Sequence, residues 1–218
     1  TEFSKIIGVD PWTFTIETQA VEPVSFSDGT GLEEVAQQVE KILAHTSESF
    51  ERQKIKQTPF VFVKNNAGTY GIGVMVVRSA DEIREMNRRT KNKMSIGKNK
   101  RPIESVVVQE GIPTATIVQK LAAEPVIYLM GCDLVGGFLR TNTERGTEDN
   151  LNSQGMVFKK LCMSDLQNPE LPLELDESPS QAPSQPEEEP VLELVYGSVA
   201  RLSALATGKE LAALTRPR

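Results

Sequence analysis

A lysine closing a run of apolar residues is the first feature of this sequence that demands a chemical partner. In Phe60-Val61-Phe62-Val63-Lys64, the four residues before the cation follow Pro59 and read as a short strand covered on both faces. Desolvating an ammonium there is costly unless an anion meets it. Asn65 to Gly73 come next, and Gly68, Gly71 and Gly73 free the backbone to curl its amides toward an oxyanion. With Thr69 and Tyr70 among them, these residues describe a phosphate clamp built on a hairpin turn. The spacing is not that of a P-loop. Nor is it the dinucleotide Gly-x-Gly-x-x-Gly that opens a helix, because strand residues Val74 to Val77 follow. A glycine-rich hairpin turn with a surface lysine is the plainer reading of the same stretch.

Two further segments could complete such a site. Val106 to Gln109 reads as a buried strand running into Glu110, Gly111 and Ile112. Its end can offer backbone groups to an adenine edge, with Ile112 against the ring, though many strand ends look alike. Phe138-Leu139-Arg140-Thr141-Asn142 puts a guanidinium on a strand, where it wants a phosphate or a carboxylate. In Glu148-Asp149-Asn150-Leu151-Asn152, Asp149, Asn150 and Asn152 offer hard oxygen ligands at close spacing. If that segment is extended, Asn150 and Asn152 share a face and suit Mg2+ bridging nucleotide phosphates. A polar turn is the alternative.

The elements that must position these residues follow from periodicity. Residues 1–30 are irregular, with Asp10-Pro11-Trp12 as a turn and Trp12, Phe14 and Ile16 alternating as a short strand. Gly31 to Phe50 is an amphipathic helix carrying Leu32, Val35, Ala36, Val39, Ile42 and Leu43 on one face. Residues 60–77 form a hairpin, and Ser79 caps a helix running to about Met94. Val126–Met130 and Val135–Leu139 pair through a turn at Gly131-Cys132-Asp133, and residues 150–158 return to extended structure. From Pro169 to Pro190, six prolines and seven acids describe a solvated linker. Beyond it, Leu194, Val195, Val199, Leu202 and Leu205 fall at helical spacing, as in a helix docking back on the domain. The expected organisation is a nucleotide-binding domain over 1–168, a linker over 169–190 and a C-terminal helix over 191–218.

Composition narrows the function classes. The 218 residues are 39 % hydrophobic and 25 % charged, as in ordinary globular chains, with a net charge of −6. That balance argues against a surface made for nucleic acid or anionic membrane. Eight Lys or Arg cluster between Arg84 and Arg101, but no aromatics interleave for base stacking, and Asp81, Glu82 and Glu85 dilute the field. A single histidine, His45, leaves little basis for a zinc site or a serine triad. It reads as a cation near a helix C-terminus. Cys132 and Cys162 are too few for a disulfide scaffold and fit a reducing compartment. No apolar run is long enough to span a membrane, and Thr1 to Lys5 lack a signal-peptide pattern. The expected location is cytoplasmic, or an organelle matrix if a targeting segment once preceded Thr1.

In order, strand with lysine and glycine loop, helix, adenine hinge, arginine strand and acid/Asn segment match the parts of an ATP-grasp domain. The expected fold is therefore α+β and ATP-grasp-like, with antiparallel or mixed sheets and flanking helices. The resemblance sharpens in Lys64-Asn-Asn-Ala-Gly-Thr-Tyr-Gly-Ile-Gly, Asn87-Arg88-Arg89 with Asn92-Lys93-Met94, Val108-Gln109-Glu110-Gly111, Ala123-Glu124-Pro125-Val126, Val135-Gly136-Gly137-Phe138 and Asn150-Leu151-Asn152-Ser153-Gln154-Gly155-Met156. With Asp10-Pro11-Trp12, these look like the proteobacterial-type glutamate–cysteine ligase family, in its C-terminal, ATP-binding half. The resemblance implies ATP-dependent joining of the γ-carboxylate of L-glutamate to L-cysteine through an acyl phosphate, with Mg2+, as in glutathione biosynthesis. It further implies that Lys64 holds phosphates under a loop of Gly68, Thr69, Tyr70, Gly71 and Gly73. Gln109, Glu110 and Ile112 would meet adenine, Arg140 the transferring phosphoryl group, and Asp149, Asn150 and Asn152 the metal. The rival expectation is a degenerate ATP-grasp domain serving as a structural subunit. Homo-oligomers, partner subunits and a missing N-terminal half are all compatible with the sequence.

Overall fold

Alternating burial organises the first sheet. In β2 (Val61–Asn65), Val61 and Val63 are fully buried, whereas Phe62 and Lys64 on the opposite face are only partly covered. The computed structural model describes residues 2–67, 71–97, 101–131, 133–161 and 196–215. The linker at 169–190, both cysteines and Gly68, Thr69 and Tyr70 lie outside the described residues. Two compact units emerge, one of residues 1–113 with 148–153, the other of 114–147 with 154–218.

In the first unit, β2 pairs antiparallel with β3 (Val74–Val77) on one side and β4 (Val106–Glu110) on the other, and β1 (Thr18–Val21) extends the sheet beyond β4. The 60–77 hairpin is thus present, with Lys64 inside the strand opposite Val74 and Val107. A short helix, α1 (Glu2–Ile7), precedes β1, and helix α2 (Leu32–Gln53) lays Val35, Ala36, Val39 and Ile42 into the core formed with Val61, Val63, Val77, Val106 and Val108. Burying such a stripe supplies most of the stability of a helix of this kind.

Several local expectations are corrected. Trp12, Phe14 and Ile16 do not form a strand. Pro11–Phe14 is a 3-10 turn, with the Asp10 side chain accepting from the Trp12 amide. Proline at the first helical position and aspartate before it favour a helical start over extension. The helix expected from Ser79 is two helices, α3 (Asp81–Arg84) and α4 (Arg88–Ser95). Ser79 does not cap the first, whereas Asn87 caps the second by accepting from the Thr90 amide at 2.9 Å. Between them Met86 is buried in the core. The strand at 60–63 is buried on one face rather than two. His45 lies well inside α2, and its Nδ1 is 2.5 Å from Glu17 Oε2.

The second unit is an antiparallel meander of β5 (Ile117–Val118), β6 (Leu121–Met130), β7 (Asp133–Asn142) and β8 (Met156–Leu161). The hairpin expected at 126–139 is present and longer at both ends. One face of this sheet carries Ala123, Leu139 and Leu161, with Ile127 and Tyr196 packed against them. The other carries Glu124, Arg140, Phe138 and Phe158, the two phenylalanine rings meeting edge to face at 4.9 Å. Helix α5 (Ser198–Leu214) buries none of its side chains, and Val199, Leu202 and Leu205 are all more than half exposed. No described helix is long and apolar enough to cross a membrane.

Candidate functional site

Lys64 leaves the sheet on the face opposite the core. Its Nζ donates to Gln109 Oε1 and stands 5.4 Å from the centre of the Phe62 ring. Gln109 in turn donates from Nε2 to Thr18 Oγ1, so three strands contribute to one polar row. Among the described residues no carboxylate pairs with Lys64, and burial pushes its ammonium below the ordinary lysine range. A half-buried cation held only by a neutral amide retains the capacity to bind an anion.

The turn after Lys64 is fastened by its own asparagines. Asn65 closes it by donating its amide to the Gly73 carbonyl, and its side chain accepts from the Ala67 amide at 3.0 Å. Asn66 bonds Ser105 twice, through its amide to the Ser105 carbonyl and through Nδ2 to Oγ. Neither role was visible in the sequence, where two adjacent asparagines before Ala-Gly signal only a turn. Gly71 and Gly73 both have φ near +70°, a conformation that favours glycine.

Asp149, Asn150 and Asn152 belong to the same unit as Lys64. They are not on an extended strand. Asn150 Oδ1 accepts from the Asn152 amide at 3.1 Å and the Asn150 carbonyl accepts from Ser153 Oγ at 3.0 Å, so the expected extended run begins only at β8. The segment is pinned by fully buried Leu151 and by Glu148, whose carboxylate lies 2.6 Å from Arg78 Nη2. Asn150 Nδ2 donates to the Gly71 carbonyl at 3.3 Å, which brings the asparagine segment and the glycine turn into contact. No group of three or more His, Cys, Asp or Glu able to hold a metal exists among the described residues.

The strand end at Gln109–Ile112 divides its residues. Ile112 is exposed and Gln109 lies in the polar row, but Glu110 points inward and is buried. Its Oε1 accepts from Trp12 Nε1 at 2.8 Å and its Oε2 from the Glu17 amide at 3.2 Å, while its own amide donates to the Glu17 carbonyl. The carboxylate is therefore committed to the N-terminal segment. Arg140 belongs to the second unit, where Nε and Nη2 both meet Glu124 Oε2, at 3.0 and 2.8 Å. The structure thus groups Lys64, Gly71, Gly73, Gln109, Asn150 and Asn152 in one unit and places Arg140 in the other.

Arg84, part of the basic stretch, bridges Glu33 and Glu40 of α2 and Asp81 of α3. The Glu33 carboxylate is the main reason its guanidinium sits above its ordinary value. This cation fastens one helix to another.

A solved structure from Methylobacillus flagellatus KT, of a protein assigned as a gamma-glutamylcysteine synthetase, superposes with a TM-score of 0.74 at 34 % identity. The match covers 98 % of this chain and 48 % of that one, so this chain spans about half the length of its structural relative. No curated protein matches. The family model for glutamate-cysteine ligase matches residues 1–211, and by that match the chain belongs to the glutamate-cysteine ligase family.

Proposed function

We propose that this chain is the ATP-binding, ATP-grasp portion of an enzyme that ligates L-glutamate to L-cysteine. The observation that carries the reading is Lys64, half-buried, without a carboxylate partner among the described residues, and beside a turn shaped by two positive-φ glycines. Phosphate oxygens fit that arrangement, because they supply the charge the site lacks and accept from backbone amides. In the proposed reaction the γ-carboxylate of glutamate attacks the terminal phosphorus of ATP, and ADP leaves. The amine of cysteine then adds to the acyl carbon and inorganic phosphate departs.

In this reading Lys64 binds and orients the phosphates, Gln109 holds the lysine in place, and Ile112 offers an apolar surface to the base. The family resemblance assigns Arg140 to neutralising the transferring phosphoryl group. Mg2+ supplies further charge neutralisation when bound, and it requires only one or two protein oxygens when phosphates provide others. The carboxylate of Asp149 and the amide oxygens of Asn150 and Asn152 fit that demand.

The test is binding of Mg-ATP by calorimetry, together with phosphate release in the presence of glutamate and cysteine. Lys64→Ala is expected to weaken nucleotide binding about 10- to 100-fold, the value of a lost charge-assisted contact. Equal binding by wild type and variant would overturn the assignment. The rival reading is a degenerate ATP-grasp domain that serves as a structural subunit of a larger assembly. Intact Mg-ATP binding with no glutamate- and cysteine-dependent phosphate release would favour it.

A further inference from the structure

We propose that Asn150 is a positioning residue, a strap whose amide group holds the glycine turn at Gly71 in register with the acid/Asn segment. The inference rests on the nucleotide reading above for its functional consequence, but not for its structural content.

Both ends of the Asn150 side chain are in use. Nδ2 donates to the Gly71 carbonyl at 3.3 Å, and Oδ1 accepts from the Asn152 amide at 3.1 Å. Only a side chain with a donor and an acceptor on one planar group can make both bonds, and aspartate cannot. Gly71 is shaped to receive it. A Cβ added there would stand 2.0 Å from the Asn152 carbonyl oxygen and 2.6 Å from Asn150 Nδ2, and the φ of +69° already disfavours any other residue. The strap has a fixed base, because Leu151 is fully buried and Glu148 is paired with Arg78. Movement at Gly71 is therefore resisted by a segment anchored in the core, through one side chain.

This arrangement gives Asn150 a second part to play if a cation approaches Oδ1. The oxygen retains a lone pair beyond the one facing the Asn152 amide. Polarising the amide there makes Nδ2–H a stronger donor toward Gly71. Cation binding at Oδ1 then strengthens the hold on Gly71 through a single group.

Asn150→Asp separates the strap from the ligand role, since aspartate keeps, and improves, a hard oxygen for a cation while losing the donor to Gly71. Amide hydrogen exchange on the 218-residue chain without nucleotide is the primary measurement. Exchange at Asn65 and over residues 71–75 is expected to quicken roughly five-fold in Asn150→Asp, as suits one lost hydrogen bond. Exchange across Val106–Glu110 is expected to stay unchanged. Gly71→Ala is expected to open the same amides, and the double variant to open them no further than the stronger single one. Unchanged exchange at 71–75, additive effects in the double variant, or equal loosening of Val106–Glu110 would each overturn the proposal. With Mg-ATP added, the wild-type turn is expected to slow in exchange and the Asn150→Asp turn to slow less. A chain that binds no nucleotide leaves the first arm to decide the strap and refutes only the nucleotide reading.

Discussion

At the scale of single residues, Lys64 shows how a sheet can hold a charge ready for use. Its ammonium is desolvated by the surrounding sheet and, among the described residues, stabilised by Gln109 and the face of Phe62. Because the folded-state value is depressed, Lys64 loses its proton at lower pH than a free lysine does. Burying the charge opposes folding while the proton is held, and that opposition eases as pH rises through the folded value toward the unfolded one. Anion binding needs the protonated form. Nucleotide affinity is therefore expected to be level through neutral pH and to fall on the alkaline side before the ordinary lysine range is reached. Lys64→Arg, which keeps its charge at any accessible pH, is expected to remove that fall. Titrating ATP affinity against pH for both proteins tests this, and parallel curves would refute it.

At the scale of elements, Glu110 is the joint between the N-terminal segment and the sheet. β1 pairs with β4 from Thr18 to Val21, and the residues just before β1 are held by the buried carboxylate, which takes hydrogen bonds from the Trp12 indole and the Glu17 amide. Both partners are donors. Glu110→Gln would turn an NH2 toward one of them and leave two donors facing each other. The expected cost is about 1–3 kcal/mol of stability, or roughly 2–10 °C in the unfolding midpoint of a chain this size. Trp12 is the single tryptophan of the sequence, so its fluorescence reports this joint directly. A Gln variant with unaltered midpoint and emission would show that the joint carries no weight. The two-helix arrangement at 81–95 follows similar logic. α3 is tied to α2 by the Arg84 cluster, and the chain then dips through buried Met86 before Asn87 starts α4.

At the scale of the whole molecule, the two units differ in what supports them. The first has eighteen buried side chains in one cluster among the described residues, and the second has four. Local opening free energy follows buried apolar contact. Amides across β6 and β7 are therefore expected to exchange at lower denaturant than those across β2 and β4, in native-state hydrogen exchange. A single transition shared by both sheets would contradict this. The six residues 148–153 fall with the first unit although their neighbours on both sides fall with the second, so the proposed metal-side residues take their rigidity from the larger core.

Much of this could be read from the chain before any coordinates. The spacing of Leu32, Val35, Ala36, Val39 and Ile42 specifies α2, and the apolar runs flanking the glycines specify the 60–77 hairpin, because these patterns depend on neighbours close in sequence. The motifs gave the family. Other features were hidden for definite reasons. Phe62 is apolar yet lies off the core, so the one-sided burial of β2 was masked in an unbroken apolar run. Asn66, Asn150 and Glu110 act through partners 39, 79 and up to 98 positions distant, such as Glu17 and Trp12 for Glu110, and no local period encodes such pairings. Local sequence decided which elements form. The tertiary structure alone decided which polar groups are consumed in holding them together and which, like the Lys64 ammonium, keep a charge without a counter-charge among the described residues, because long-range hydrogen bonds are settled only when the chain has closed on itself.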